Sequence, residues 1–227
     1  MLIMPLRSLT ILLLAGLASA AWAEDANVYQ NDFNNHPIGS VPTDFLVLQG
    51  EFAVKESERE RFLELPGTPL ETFGLLFGPA RKDNVEATAR FWGTRKGRLT
   101  PSFGLGLNGV GGYEVRVNPS RRTLELFHED QRVAEHSFRW KSGKWTHLTL
   151  RVRRAGKAKV WFLEAKAWQE GAKEPEHWMI ARKVSEPSFS GRAVLYGSPY
   201  AGTTIRFDDL KIMAIDKTAV KNDSREK

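Results

Sequence analysis

Glu56, Glu58 and Glu60 recur at every second position, the spacing that lets a β-strand present carboxylates on one face. A retaining glycosidase on such a strand holds its nucleophile and its acid about 5 Å apart. The intervening residues argue against that chemistry. They would have to face a core, and they are Ser57 and Arg59, so the segment reads as a solvated loop between residues 52–54 and 62–65. Gly104, Gly106 and Gly109 match the spacing of a dinucleotide-binding turn, which works only where the third glycine opens a helix that can hold a pyrophosphate. Val110-Gly111-Gly112-Tyr113 follows instead, so this stretch reads as a strand and a hairpin. The five histidines, His36, His128, His136, His147 and His177, show no zinc spacing, and no serine occupies a Gly-x-Ser-x-Gly elbow. His128-Glu129-Asp130 is the most polar titratable cluster and reads as the end of a hairpin. With no cysteine in the chain, disulfides, thiolate metal sites and a cysteine nucleophile are excluded. No catalytic residue is assigned.

Chemistry of a different kind comes from alternation. If Ala89 and Phe91 face a core, Arg90 and Trp92 face out; if Tyr113, Val115 and Val117 face in, Glu114 and Arg116 face out. The same parity exposes Glu164, Lys166 and Trp168 opposite Leu163, Ala165 and Ala167. Aromatic planes beside Arg, Glu and Lys are what sugar recognition uses: stacking on the C–H face of a ring and charged hydrogen bonds to hydroxyls or carboxylates. Arg90, Trp92, Glu114, Arg116, Lys166 and Trp168 are therefore the expected ligand-binding residues, in one shared groove. The competing reading has Trp168 and Trp178 packed on each other around the Gly171 turn, serving stability alone.

These residues need strands to position them, and the chain is written mostly in period two. Residues 85–92, 113–117 and 148–152 alternate apolar with polar. Further strands are expected at 45–54, 62–65, 102–107, 123–127, 133–138, 160–168, 179–183, 193–196 and 204–214, with turns at Asn118-Pro119-Ser120, Ser142-Gly143, Ala155-Gly156 and Glu170-Gly171. No convincing amphipathic helix interrupts them. The pattern implies an all-β, two-sheet antiparallel jelly-roll sandwich.

The ends carry separate signals. Met1 to Arg7 is short and basic, an apolar run follows, and Ala21-Trp22-Ala23 puts small residues where a signal peptidase reads, so cleavage is expected after Ala23. One domain is expected over residues 24–215, and 216–227 reads as a polar tail. The apolar run is too short to span a bilayer, and no later stretch is long enough. The net charge of +6 permits a polyanionic partner. Its densest cluster, Arg151, Arg153, Arg154, Lys157 and Lys159, has the pattern of a solvated hairpin tip, and no nucleic-acid partner is expected.

A set of motifs in fixed order resembles the concanavalin A-like, laminin-G-like domains of bacterial exported proteins. Asn31-Asp32-Phe33 looks like their opening element, and residues 112–117 like their Gly-Tyr strand. Gly143-Lys144-Trp145 looks like their Gly-x-Trp strand, Trp168 through Gly171 to Glu174-Pro175 and Trp178 like their Trp, Gly-turn and Glu-Pro-x-x-Trp pattern, and Phe207-Asp208-Asp209-Leu210 like their closing strand. The resemblance implies the concanavalin A-like fold. It also implies a possible structural calcium where first and last strands meet, with Asp32, Asp208 and Asp209 as the matching carboxylates. The Glu-x-Asp-x-(x)-Glu strand of the glucanase members is missing, so no catalytic residue carries over. The expected function is an exported, periplasmic or secreted, non-catalytic module that binds a glycan or another envelope component. A polysaccharide-acting hydrolase or lyase and a structural or protein-interaction module are the alternatives.

Overall fold

The structure, a computed structural model, describes residues 28–68, 71–155, 160–185 and 189–215. The export segment with its cleavage point, the polar tail, and Gly156, Lys157 and Lys159 of the basic cluster lie outside the described residues.

The chain forms two antiparallel sheets. The eight-stranded sheet runs β13 (Ile180–Val184), β12 (Trp161–Gln169), β11 (Thr146–Arg154), β6 (Val85–Gly93), β15 (Ile205–Ala214), β4 (Glu60–Leu65) and β3 (Ala53–Ser57), with β1 (Val28–Asn31) also paired to β15. The seven-stranded sheet runs β10 (Gln131–Ser137), β9 (Thr123–His128), β8 (Tyr113–Asn118), β7 (Ser102–Leu107), β14 (Gly191–Ser198), β5 (Phe73–Arg81) and β2 (Leu46–Gln49). Neighbours in space are mostly distant in sequence, as in a jelly roll. No helix among the described residues is long and apolar enough to cross a membrane.

The core lies between the sheets. Val85, Ala87, Ala89 and Phe91 point inward from β6, Leu148, Leu150 and Val152 from β11, and Leu105, Val115 and Leu126 meet them from the other sheet, all at most 2% exposed. Phe91 stacks on Phe103 across the interior with centroids 5.2 Å apart, and Phe207 meets Phe91 edge-on at 5.5 Å, so aromatic rings lock the two layers together.

Two elements depart from the sequence reading. β5 was not expected: Phe73-Gly74-Leu75-Leu76-Phe77 has no alternation, because Gly74 faces outward beneath the Tyr196 ring. The stretch at 45–54 divides into β2 and β3, separated by a turn containing Gly50 at φ +111°. β15 also carries a bulge. Its register against β6 shifts between Asp208 and Lys211, with Asp209 at φ +49°, so the inward parity passes from Ile205 and Phe207 to Leu210 and Ile212. That shift puts both aspartates at the outer face.

Candidate functional site

The six expected ligand residues divide between two faces. Arg90 and Trp92 lie on β6, and Lys166 and Trp168 on β12, all on the outside of the eight-stranded sheet. Glu114 and Arg116 lie on β8, outside the seven-stranded sheet, so the expected single groove does not form. Parity placed each residue outward as expected, but the sheet to which each strand belongs separates them.

On the eight-stranded face, strand register builds cross-strand rows. Asp208, Arg90, His147 and Trp168 form one row across β15, β6, β11 and β12, and Lys211, Thr88, Thr149 and Lys166 form the next. Arg90 is the hub of the first. Its Nη2 donates to Asp208 Oδ2 at 2.6 Å and to Glu60, its Nε lies 2.9 Å from Asp209 Oδ2, and its guanidinium covers the Trp145 ring at 4.4 Å. Asp208 is 1% exposed, and burial pushes its carboxyl up to about 7 against the opposing pull of the Asp209 N–H and of Arg90. Glu60 corrects the loop reading of the glutamate run. β3 and β4 form a tight hairpin with Glu58 and Arg59 at its tip, both at positive φ; Glu56 pairs with Arg61, and Glu60 reaches Arg90.

The aspartates do not fit a calcium ion. Both Asp208 oxygens are engaged, one by Arg90 and one by the Asp209 N–H, and Asp209 faces the same guanidinium, so the cation at this bulge is Arg90 itself. Asp32 accepts the Asn34 N–H, and no group of three acidic, histidine or cysteine side chains suited to a metal occurs among the described residues.

The tryptophans take different roles. Trp92 lies under the Arg206 guanidinium at 4.4 Å, which covers Phe62 at the same distance. Trp168 and Trp178 do not stack on each other: Lys166 Nζ lies 5.9 Å from the Trp168 centroid and 4.8 Å from that of Trp178, and it pairs with Glu174 at 2.5 Å. Trp178 lies beneath Arg151, whose Nε is 2.6 Å from Glu164. Arg151 and Arg153 of the basic cluster thus lie on the sheet face, both against Glu164. Trp168 instead stacks on His147, centroids 5.0 Å apart and planes 7° from parallel. Burial holds the His147 imidazole below its ordinary value, helped by the nearby Arg90 charge.

Two clefts meet on this face. One, about 260 Å³, is lined by Trp168, His147, Thr88, Thr149, Asp209 and Lys211 among others; the second, about 560 Å³, continues past Thr88, Asp209 and Lys211 to Asn31, Asp32 and His36. Glu86 lines the first, accepts no hydrogen bond among the described residues, and has a carboxyl raised by burial. The lining offers a flat aromatic pair, hydroxyls, amides, carboxylates and one ammonium. This is the chemistry of a polyhydroxyl ligand. His147, Thr88, Thr149, Glu86, Asp209 and Lys211 line these clefts and were left out of the ligand set by sequence reasoning. His147 had a signal, because its parity opposes the inward Leu148.

The seven-stranded face is built differently. Gly74, Tyr196, Gly104, Arg116 and Glu125 form one row across β5, β14, β7, β8 and β9. Glu114 is 7% exposed and takes both Nε and Nη2 of Arg116, at 2.8 and 3.0 Å, while Arg116 also covers the Phe127 ring at 4.4 Å. Burial raises the Glu114 carboxyl despite this pairing. Arg116 is therefore paired with a buried carboxylate.

No protein-family model matches this chain, and no curated protein sequence matches it. Solved structures share its fold. The carbohydrate recognition domain of Emp47p superposes with a TM-score of 0.56 at 10% identity, covering 86% of this chain and 100% of that one. The carbohydrate-binding module CBM66 from Bacillus subtilis gives 0.53 at 14% identity, covering 77% and 99%. The Crh5 transglycosylase gives 0.54 at 10% identity, covering 84% and 85%. At these identities the likeness establishes a lectin-type jelly-roll fold, which hosts both binding proteins and enzymes.

Proposed function

We propose that residues 24–215 form one exported, periplasmic or secreted, concanavalin A-like module that binds a glycan on its eight-stranded face without cleaving it. The observation that carries this reading is the Trp168–His147 pair on the wall of a cleft whose other walls are hydroxyls and carboxylates. An imidazole and an indole, stacked with parallel planes and partly exposed, offer an aromatic platform for the C–H face of a sugar, and Thr88, Thr149 and Asp209 offer partners for its hydroxyls. The ordered motifs of the exported laminin-G-like domains and the carbohydrate recognition named for two structural neighbours support the same reading. Non-catalysis is supported by the commitment of Asp209 to Arg90 and of Glu174 to Lys166 on the cleft walls. Glu86 has no such partner and favours a second reading: a raised, unpartnered carboxyl in a cleft suits a general acid, as a polysaccharide hydrolase or lyase requires.

A glycan array, paired with an assay for chain scission on every bound glycan, separates the two. Retention without scission is expected. Scission abolished by Glu86→Gln would replace the binding reading with the enzymatic one, and the absence of any retained glycan would overturn both.

A further inference from the structure

A third cleft, of about 700 Å³, opens where three loops meet at one end of the sandwich, and its lining is of one sign. Arg95, Arg98, Arg122, Arg139 and Lys141 contribute to it, with Thr100, Ser120 and Ser142, and no carboxylate is among its lining residues. That composition stands apart from the sheet faces, where Arg90, Arg116, Arg151 and Arg206 each lie against a carboxylate. None of the five cations here has an ion pair among the described residues.

The loops are held, so the cations are gathered before any ligand arrives. Gln169 clamps the Lys141 backbone from both sides, accepting its N–H at 2.7 Å and donating to its carbonyl at 2.9 Å. Ser142 Oγ accepts the Arg95 N–H at 2.9 Å, Lys96 and Leu99 exchange backbone hydrogen bonds, and Phe138 N–H bonds the Arg122 carbonyl. Trp140, also in the lining, packs edge-on to Phe103, and its indole N–H is buried without a partner. Like-charged side chains collected on fixed loops make a setting that an anionic group would neutralise.

The cleft also connects to the proposed binding face. Arg139 and Lys141 line a further cleft whose opposite wall is Trp168, and Trp168 in turn lines the cleft of the eight-stranded face. We propose that the ligand is an acidic polysaccharide, whose uronate or sulfate groups enter the basic cleft while neighbouring sugars run past Trp168. This rests on the glycan-binding reading of that face.

The test uses the mature protein with three immobilised probes: polygalacturonate for uronate, dextran sulfate for sulfate, and laminarin as a neutral chain. The parent should bind one or both acidic probes, with affinity falling as salt is raised. Replacing Arg98, Arg122 and Arg139 together by Gln should weaken that binding about tenfold or more while the melting temperature stays near that of the parent. Trp168→Ala should weaken the same probe. Laminarin bound as tightly as the acidic chains, with the triple variant unaffected, would overturn the acidic-ligand inference and leave the face reading intact. Acidic probes lost in the triple variant but not in Trp168→Ala would keep the anion cleft and overturn its link to the face. Duplex DNA held more tightly than either acidic probe, or no probe held at all, would overturn the inference outright.

Discussion

The two outer faces carry the same pair of charges in opposite settings. On the eight-stranded sheet, Arg90 stands among tall neighbours, with Trp145 beneath it and Glu60, Asp208 and Asp209 around it. On the seven-stranded sheet, Arg116 pairs with Glu114 and covers the Phe127 ring, beside a floor formed by Gly104 and Gly106 of the adjoining strand. The first face is filled by stacking and leaves clefts between its rows. The second is sealed by Glu114 lying over Gly104 and the Tyr196 ring over Gly106. An outward position on a strand therefore does not by itself make a ligand contact, since the neighbours across the sheet decide whether the group is spent.

That contrast orders the expected effects. Arg90→Met should be the most damaging surface change, because it leaves buried Asp208 beside Glu60 and Asp209 with no cation. A loss of about 3–5 kcal/mol is expected in urea unfolding at pH 7. Arg116→Met leaves one carboxylate without its cation where Arg90→Met leaves three, so the smaller loss of about 1–3 kcal/mol is expected. Equal losses would erase the distinction between the faces.

Gly104→Ala sharpens it from the other side. A Cβ there would lie 2.7 Å from Glu114 Oε1 and 2.8 Å from the Val115 carbonyl, and the backbone atom cannot swing away. About 1–3 kcal/mol of destabilisation is expected, against less than about 0.5 kcal/mol for Thr88→Ala on the opposite face. A tolerated Gly104→Ala would mean that the floor is not packed as described.

A smaller effect depends on pH. His147 is held below its ordinary value of 6.5, so as pH falls through 6.5 the unfolded chain takes up a proton before the folded one. Folding stability is lost over that interval and is fully present above it. Asp208 acts in the opposite sense, its folded value of about 7 lying above the ordinary 3.8, so the folded state gains stability as pH falls from 7 towards 3.8. Comparing parent with His147→Gln isolates the histidine: between pH 7.5 and 5 the parent should lose more unfolding free energy than the variant. An identical pH dependence would show that His147 is not buried against Trp168.

Much of the fold was legible in the sequence. Strict alternation marked β6, β8 and β11, and parity placed every expected ligand residue outward. Gly74 and the outward Leu76 hid β5, because a strand whose outward positions carry no polar residue shows no period of two. Which strands share a sheet was not legible, since β6 lies between β11 and β15 through pairings across the whole chain. Arg116 and Arg90 were therefore grouped on one face. The bulge in Asp208-Asp209 was equally hidden, because two adjacent aspartates near a strand end look the same with or without it. The basic cleft draws on loops from three separate stretches and left no local motif.

The central claim is that ligand sits on the eight-stranded face. The most direct measurement is an amide and indole chemical-shift map of the protein titrated with the oligosaccharide best retained on the array. The account predicts shifts at Thr88, His147, Thr149, Lys211 and the Trp168 indole, with the opposite sheet unmoved. Shifts concentrated at Gly104, Arg116 and Tyr196 would contradict it.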